Sequence, residues 1–380
     1  MTALADNQPP GETPPAIVSG HVTALRLFDV ANAIDLARAE ALWLQQSRNA
    51  VRSRLSGTPP KAVSFGEAPL ALVLPGVALK LGGRVVQAQV AARLYVFGVV
   101  TLAIRVPADG MQWTDFVDLT GEMDASIGPG TPAPQWTDLL AMLREAVGAA
   151  WDRPSLSTLE EDYLVATVHA FDRPVPTATL GTQIDLIPLL SGERRRLAEA
   201  SRTDLLSRRF SYYTDDLVVL TWDRAFIYEP TRDTDVADVI EVANAQLLEM
   251  RYYDELLDDE LPRMYDLVEA TRRWSFAPRR FATLARRLYT LVAEVTELTE
   301  KVDNALQVTE DVYLARVYTA ALDLFRVKLV SAAVDRKLAI IRDTYQALYD
   351  ESASARAGFM EMLIVALILI EVVLAIYPRR

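Results

Sequence analysis

Residues 84–107 read RVVQAQVAARLYVFGVVTLAIRVP. Two β-rich runs meet at Gly98, and glycines at 66, 76, 82, 83 and 98 punctuate the stretch from Val63 to Val106. Val, Ile, Tyr and Phe favour a pleated, half-buried surface, and glycine marks the reversals between strands. This texture makes the first half of the chain a sheet. Working back, PLALVLP at 69–75 is a further short strand, and Ser56 to Pro60 form a turn cluster. AIDLARAEALWLQQSRNAVRSRL at 33–55 repeats apolar residues at three and four, an amphipathic helix, and HVTALRLFDV at 21–30 alternates as a strand. Residues 1–15 hold four prolines and little to bury, which predicts a disordered tail.

Working forward, TDFVDLTGEM is expected to be a short helix, SIGPGTPAPQ an exposed linker, and WTDLLAMLREAVGAAW a second helix. DYLVATVHAF and TQIDLIPLL read as strands, and GERRRLAEASRTDLLSRRF as a helix with a charged face. DDLVVLTWDRAFIYEP, at 215–230, is a hairpin reversing near Trp222-Asp223-Arg224. Strands mixed with helices, without a regular βαβ rhythm, predict an α+β head over 16–232.

Beyond Asp235 the strand signals cease. VADVIEVANAQLLEMRYYDELLDDELPRMYDLVEATRRW is helical, with Pro262 as a kink or break and Pro278 opening the next helix. Leu284, Leu288, Leu291, Val295, Leu298 and Val302 are spaced as a coiled-coil seam, and a second long helix over roughly 310–350 carries Val334, Leu338, Ile341, Tyr345 and Leu348 in the same rhythm. Such stripes serve either an intramolecular helical core or an oligomer seam. A helix of that length approaches roughly 60 Å and overhangs a small domain, so homo-oligomerisation is expected of this antiparallel helical stalk over 233–355.

A polar break, Asp350 to Ala355, precedes GFMEMLIVALILIEVVLAIYPRR at 358–380. Counting to Tyr377 gives a run of about twenty residues, the length a helix needs to cross the roughly 30 Å bilayer core. Pro378 stops the helix before Arg379 and Arg380. The run lacks an amphipathic period, which favours a transmembrane helix at 356–380 over a buried core helix. With no presequence pattern at the N-terminus, the expectation is a single-pass protein of a prokaryotic inner membrane with residues 1–357 cytoplasmic.

The chain has 380 residues and a net charge of −12, which argues against a body that coats nucleic acid or anionic lipid over its whole surface. It has no cysteine, so disulfides, thiolate nucleophiles, cysteine zinc sites and iron–sulfur clusters are excluded. There are two histidines, His21 and His169, in strand-like segments without metal or triad spacing; they read as satisfied polar positions. Walker A, dinucleotide-binding, H-E-x-x-H and G-x-S-x-G patterns are missing. No catalytic residue, cofactor or metal is expected, and the reading is a non-enzyme.

Three groups of charged residues stand out. Glu361 lies at the near membrane boundary and Glu371 close to its middle, where an ionised carboxylate costs several kcal/mol unless paired or protonated. Glu371 either sets assembly register or serves partner recognition or proton movement; Glu361 and Arg356 read as interface anchors. The pairs Arg272-Arg273, Arg279-Arg280 and Arg286-Arg287 repeat every seven residues, with Trp274, Phe276, Phe281 and Tyr289 interleaved. They dock against the acids Asp254, Glu255, Asp258, Asp259 and Glu260, or they grip RNA phosphates or anionic headgroups. Asp254 and Asp258 share one helix face, but a divalent cation wants a shaped loop, so a solvated face is the expected role.

Tyr318, Lys337-Leu338, Tyr345, Arg356, Glu361 and Ile370-Glu371-Val372-Val373 follow one another in an order that resembles the C-terminus of the required-for-meiotic-nuclear-division proteins, the Rmd/YagE group. LYVFGVVTLAIRV resembles that group's Phe/Tyr-rich strand before Gly-Val-Val, and DDLVVL its later strand. The likeness spans about 90–375. It departs at Met360-Glu361-Met362, where the group has Leu-Glu-Trp, and around Ala333 to Arg336, where it has Leu-Asn. The resemblance implies a membrane-anchored protein without catalytic residues; eukaryotic members sit at organelle membranes, and one supports mitochondrial translation. Sequence alone thus supports a membrane-tethered scaffold or assembly factor. A translation-linked tether holding RNA or a ribosome through the arginine stretch is the alternative. An ion-transport component is a remoter one, since the layout is similar to CorA-type magnesium channels but has one span and no Gly-Met-Asn tripeptide.

Overall fold

The structure is a computed structural model of the chain. It describes residues 14–46, 50–51, 63–64, 68–155, 157–193, 195–272, 286, 289–290, 292–293, 295–296, 307–308 and 311–376. Within these, side chains 46, 50–51, 63–64, 267–268, 270–272, 307–308, 345, 348, 351–359 and 373–376 are outside the description.

The first strands are β1 (Ile17–Asp29), β2 (Ala31–Ile34), β3 (Ala50–Val51), β4 (Val63–Ser64), β5 (Leu70–Leu81), β6 (Arg84–Leu94) and β7 (Val99–Pro107), with α1 (Leu36–Gln46) after β2. Next come α2 (Trp113–Ile127), α3 (Pro134–Val147), β8 (Trp151–Pro154) and β9 (Glu160–Phe171). Then follow α4 (Thr177–Gln183), α5 (Ile187–Ser191), α6 (Glu199–Leu205), β10 (Arg209–Phe210), β11 (Leu217–Leu220) and β12 (Arg224–Tyr228). The remainder is α7 (Asp235–Arg272), β13 (Gln307–Val308), α8 (Val312–Leu324) and α9 (Val327–Ile376). The main sheet runs β10-β11-β12-β9-β1-β7-β6-β5-β3. All its described pairings are antiparallel except β12 on β9.

Of the reversals expected at glycine, those at Gly82-Gly83 and Gly98 are present, while Gly76 lies inside β5 at a register shift between Leu74 and Val77 and Gly66 falls outside the described residues. Gly82 and Gly83 take φ of +51° and +78°, the two left-handed positions of a tight hairpin between β5 and β6. Gly98, at φ +97°, closes β6 on β7, and a side chain there would run into the carbonyl of Ala31.

Side chains alternate between two buried faces. Val22 and Ala24, Leu102 and Ile104, and Leu164 and Ala166 join Trp113, Phe116 and Leu119 of α2 and Trp136, Leu139 and Leu143 of α3 in one core. On the opposite face Leu25, Leu27, Tyr163, Val165 and Ile227 are buried, as are Val239, Ile240 and Ala243 of α7 and Val317 and Ala321 of α8. The Tyr163 and Phe325 rings meet edge-on at 5.4 Å. Each large apolar side chain so enclosed contributes about 1.5–3 kcal/mol, and burial on both faces makes the central strands near-continuous hydrophobic runs.

Several expectations are corrected. TQIDLIPLL forms the end of α4 and α5, not a strand; Leu186, Ile187, Leu189 and Leu190 are all buried, which a half-covered strand would not allow. The charged segment from Gly192 is helical only over Glu199–Leu205, where it lacks buried residues to hold a longer helix. SIGPGTPAPQ is not a free linker: Arg26, 3 % exposed, donates to the carbonyls of Gly128 and Thr131, and Gly130 N donates to Asp162. The helix expected over 310–350 is two, broken where Arg326 turns left-handed at φ +58°, and α9 then continues through Asp350–Ala355 without a break. Pro262 lies inside α7 without ending it. Of the tail expected at 1–15, residues 1–13 fall outside the described residues and Pro15 is buried; most of the first coiled-coil seam also falls outside them, while Val295 is buried, as are Val334 and Ile341 of the second.

The chain divides into two compact units, Met1–Glu249 with Lys301–Lys328, and Met250–Glu300 with Leu329–Arg380. The architecture is mixed α+β, sheet-rich first and helical later. Among the described residues no helix is long and apolar enough to cross a membrane. Side chains of the terminal apolar run are described only over 360–372, about 20 Å of helix against the roughly 30 Å required, so the predicted span is left partly outside the description.

Candidate functional site

The register of three strands gathers polar groups on the α7 face of the sheet. Thr23 of β1 stands opposite Arg105 of β7 and opposite Val165 of β9, while His21 stands opposite Thr167. Arg93 of β6 stands opposite Thr101 of β7. The period of two puts these side chains on one surface. The first turns of α7 cover part of it and leave a cavity of about 250 Å³, floored by Ala91, Ala92 and Ala103 and walled by Ala237 and Asp238 of α7.

One end is a closed ion network. Arg93 Nη1 lies 2.7 Å from Asp238 Oδ1 and 2.8 Å from Glu241 Oε2, with both acids nearly fully buried. The Tyr95 hydroxyl donates to Glu241 Oε1 at 2.7 Å, and Thr234 Oγ1 donates to Asp238 Oδ2 at 2.9 Å. All four carboxylate oxygens are thereby satisfied, the condition under which a buried charge is tolerated. Burial pushes the Glu241 carboxyl above the ordinary range, and Asp238 adds to this, while Arg93 pulls back. Burial, and then Glu241, push the Tyr95 phenol up.

The other end is differently balanced. Arg105 reaches solvent at the mouth, and its Nε donates to Thr23 Oγ1 at 3.3 Å. Among the described residues it forms no ion pair. Desolvation and the neighbouring Arg93 make its charged form less favourable than usual, with Asp238 acting the other way. The imidazoles of His21 and His169 lie 5.3 Å apart. Burial, then Arg105, then His169 hold His21 down to about 3, so it is neutral at physiological pH. His169 Nδ1 lies 2.9 Å from the Glu229 carbonyl; a carbonyl only accepts, so Nδ1 carries the proton and Nε2 remains for another contact. His21 is half-buried and has no protein hydrogen-bond partner among the described residues. Arg232 overhangs the mouth at φ +62° and donates to Ser19 Oγ at 3.2 Å.

Of the charged residues singled out by sequence, the described ones, Glu361, Glu371 and Arg286, do not line this cavity. Glu361 and Glu371 both lie exposed on α9. Arg286 is exposed; Arg272 ends α7, with its side chain outside the description, and Arg273, Arg279, Arg280 and Arg287 lie outside the described residues. The acidic run is partly committed elsewhere. Lys337 Nζ lies 2.5 Å from Asp254 and 2.7 Å from Asp258, and Arg263 pairs with Asp259 and Glu260. Burial lowers the Lys337 ammonium, but its bonds to the two aspartates carry it above the ordinary value. Among the described residues no three metal-ligating side chains converge.

A protein of Methanocaldococcus jannaschii described as uncharacterized protein MJ0711 is 26 % identical over 192 residues, 50 % of this chain and 58 % of that protein. The chain thus matches little more than half the length of that relative. No solved structure matches. Residues 19–234, which hold the main sheet except the first two residues of β1 and hold the strand side of the cavity, match the family described as uncharacterized protein MJ0711, N-terminal domain, and the chain belongs to that family.

Proposed function

We propose that the protein is a membrane-anchored, non-enzymatic scaffold or assembly factor. Its α+β head binds a partner, its helices organise homo-oligomers, and the apolar end of α9 holds it at the bilayer. The observation that carries this reading is the exposure of α9. From Met360 to Val372 every side chain is exposed, including Leu363, Ile364, Val365, Leu367, Ile368, Leu369 and Ile370. A helix that is apolar all round needs cover. At about 1.5–3 kcal/mol per large apolar side chain, this run offers on the order of 15 kcal/mol to a lipid phase. The resemblance of 305–375 to the Rmd/YagE group supports the same reading.

Flotation of the full chain with neutral phosphatidylcholine vesicles tests it. The protein is expected to float at high salt and to stay in the dense fractions when Ile364→Lys and Leu367→Lys are introduced. Wild-type protein that never floats refutes the anchor. A translation-linked tether is the second reading, supported by exposed Arg286 within the arginine stretch. It requires ribosomal RNA to accompany the detergent-extracted particle and to be lost when Arg279, Arg280, Arg286 and Arg287 become Glu.

A further inference from the structure

We infer that the cavity over β1, β7 and β9 is a binding site for a small organic anion, a carboxylate or phosphate ester with a short flat body. Its charge is taken by Arg105 and its body lies against the His21 and His169 rings.

The lining holds three guanidinium groups and three carboxylates, and it is the pairing among them that points to an anion beside Arg105. Arg93 is already committed to Asp238 and Glu241, and those acids have no free oxygen. Asp233 at the mouth accepts from Asp235 N. Arg105 forms no ion pair among the described residues, and Arg232, on a left-handed backbone that a non-glycine residue adopts at a cost, brings a second guanidinium to the same opening. A guanidinium presents paired N–H donors in a plane that matches a carboxylate or phosphate.

The shape points to an organic body. The cavity of about 250 Å³ equals roughly eight waters at about 30 Å³ each, more than a bare oxyanion occupies. Alanine at 91, 103 and 237 keeps the space open, and Leu25, Val165 and Ile227 make part of its wall apolar. The ring nitrogens of His21 and Nε2 of His169 supply the few polar contacts that fix orientation in such pockets. An anion beside Arg105 also restores favourable surroundings to a charge that desolvation and Arg93 now disfavour.

Isothermal titration calorimetry of the full chain in mild detergent, with phenyl phosphate, benzoate and uncharged phenol, tests the assignment. At least one anion is expected to bind while phenol does not, and the better anion identifies the head group. Arg105→Gln should weaken binding at least tenfold. Ala103→Leu, which fills the floor, should do the same through shape, and both variants should keep the wild-type melting midpoint. If either lowers the midpoint, Arg232→Gln at the exposed rim serves instead, with an expected loss of several-fold. The proposal is overturned if neither anion binds at millimolar concentration, if phenol binds equally, or if the folded variants bind as wild type does.

Discussion

Replacing Arg93 by methionine should destabilise the head by roughly 3–5 kcal/mol at pH 7.5, the cost of leaving a buried charge without its partner. Methionine retains the length of the aliphatic stem, so little packing is lost. What remains is Asp238 and Glu241, with side chains 4 % and 8 % exposed, facing each other without the guanidinium 2.7 and 2.8 Å away. Against a usual domain stability of about 5–15 kcal/mol this is a large fraction. Urea unfolding followed by tryptophan fluorescence measures it directly, because Trp43, Trp113, Trp136 and Trp151 are all buried in the head. Neutralising both acids in the same chain, with Asp238→Asn and Glu241→Gln, should recover about 2 kcal/mol or more. The pH dependence has a definite sign. Without Arg93, the folded-state pKa of Glu241 rises further above its unfolded value, so protonation favours the folded state. The deficit should shrink as pH falls toward 5 and grow as pH rises through the raised pKa. A loss below about 1 kcal/mol, or one equally large at pH 5 and pH 7.5, would refute the reasoning.

Burial raises the Asp29 carboxyl to about 6 from 3.8, although the Ser155 hydroxyl, 2.9 Å away, opposes the shift. Its stabilising contribution is thus present below pH 3.8 and lost as pH rises through about 6. Asp29→Asn should therefore stabilise the head by up to roughly 3 kcal/mol at pH 8 and by little at pH 4, read from paired urea melts. Gly98→Ala meets both a positive φ and the Ala31 carbonyl, and should cost about 2 kcal/mol or more; a melt shifted by less than a degree would show that the β6–β7 turn relaxes freely. Lys337→Met removes the bonds to Asp254 and Asp258. With Asp258 61 % exposed, the loss in the helical unit should be about 1 kcal/mol, smaller at 1 M salt than at 0.05 M.

Where local chemistry decides, the sequence was sufficient. Gly82, Gly83 and Gly98 marked turns that need left-handed backbone, β-branched runs marked β1, β6, β7 and β9, and the hairpin at Trp222 reversed where its turn residues required. The exclusion of cysteine chemistry likewise needed composition alone. Tertiary packing decided the rest. TQIDLIPLL is short and apolar, and such a run can be a strand or a buried helix; burial of Leu186, Ile187, Leu189 and Leu190 together selected helix. Arg326 carried no breaker signal, yet the chain turns there so that Phe325 can meet Tyr163 and Trp222. The cavity was hidden for the same reason. His21, Arg93, Arg105, His169 and Glu241 come from four strands and a helix, and no spacing along the chain relates them. The sheet register brings the strand residues together, and α7 laid across them adds Glu241 and leaves the cavity beside Arg105.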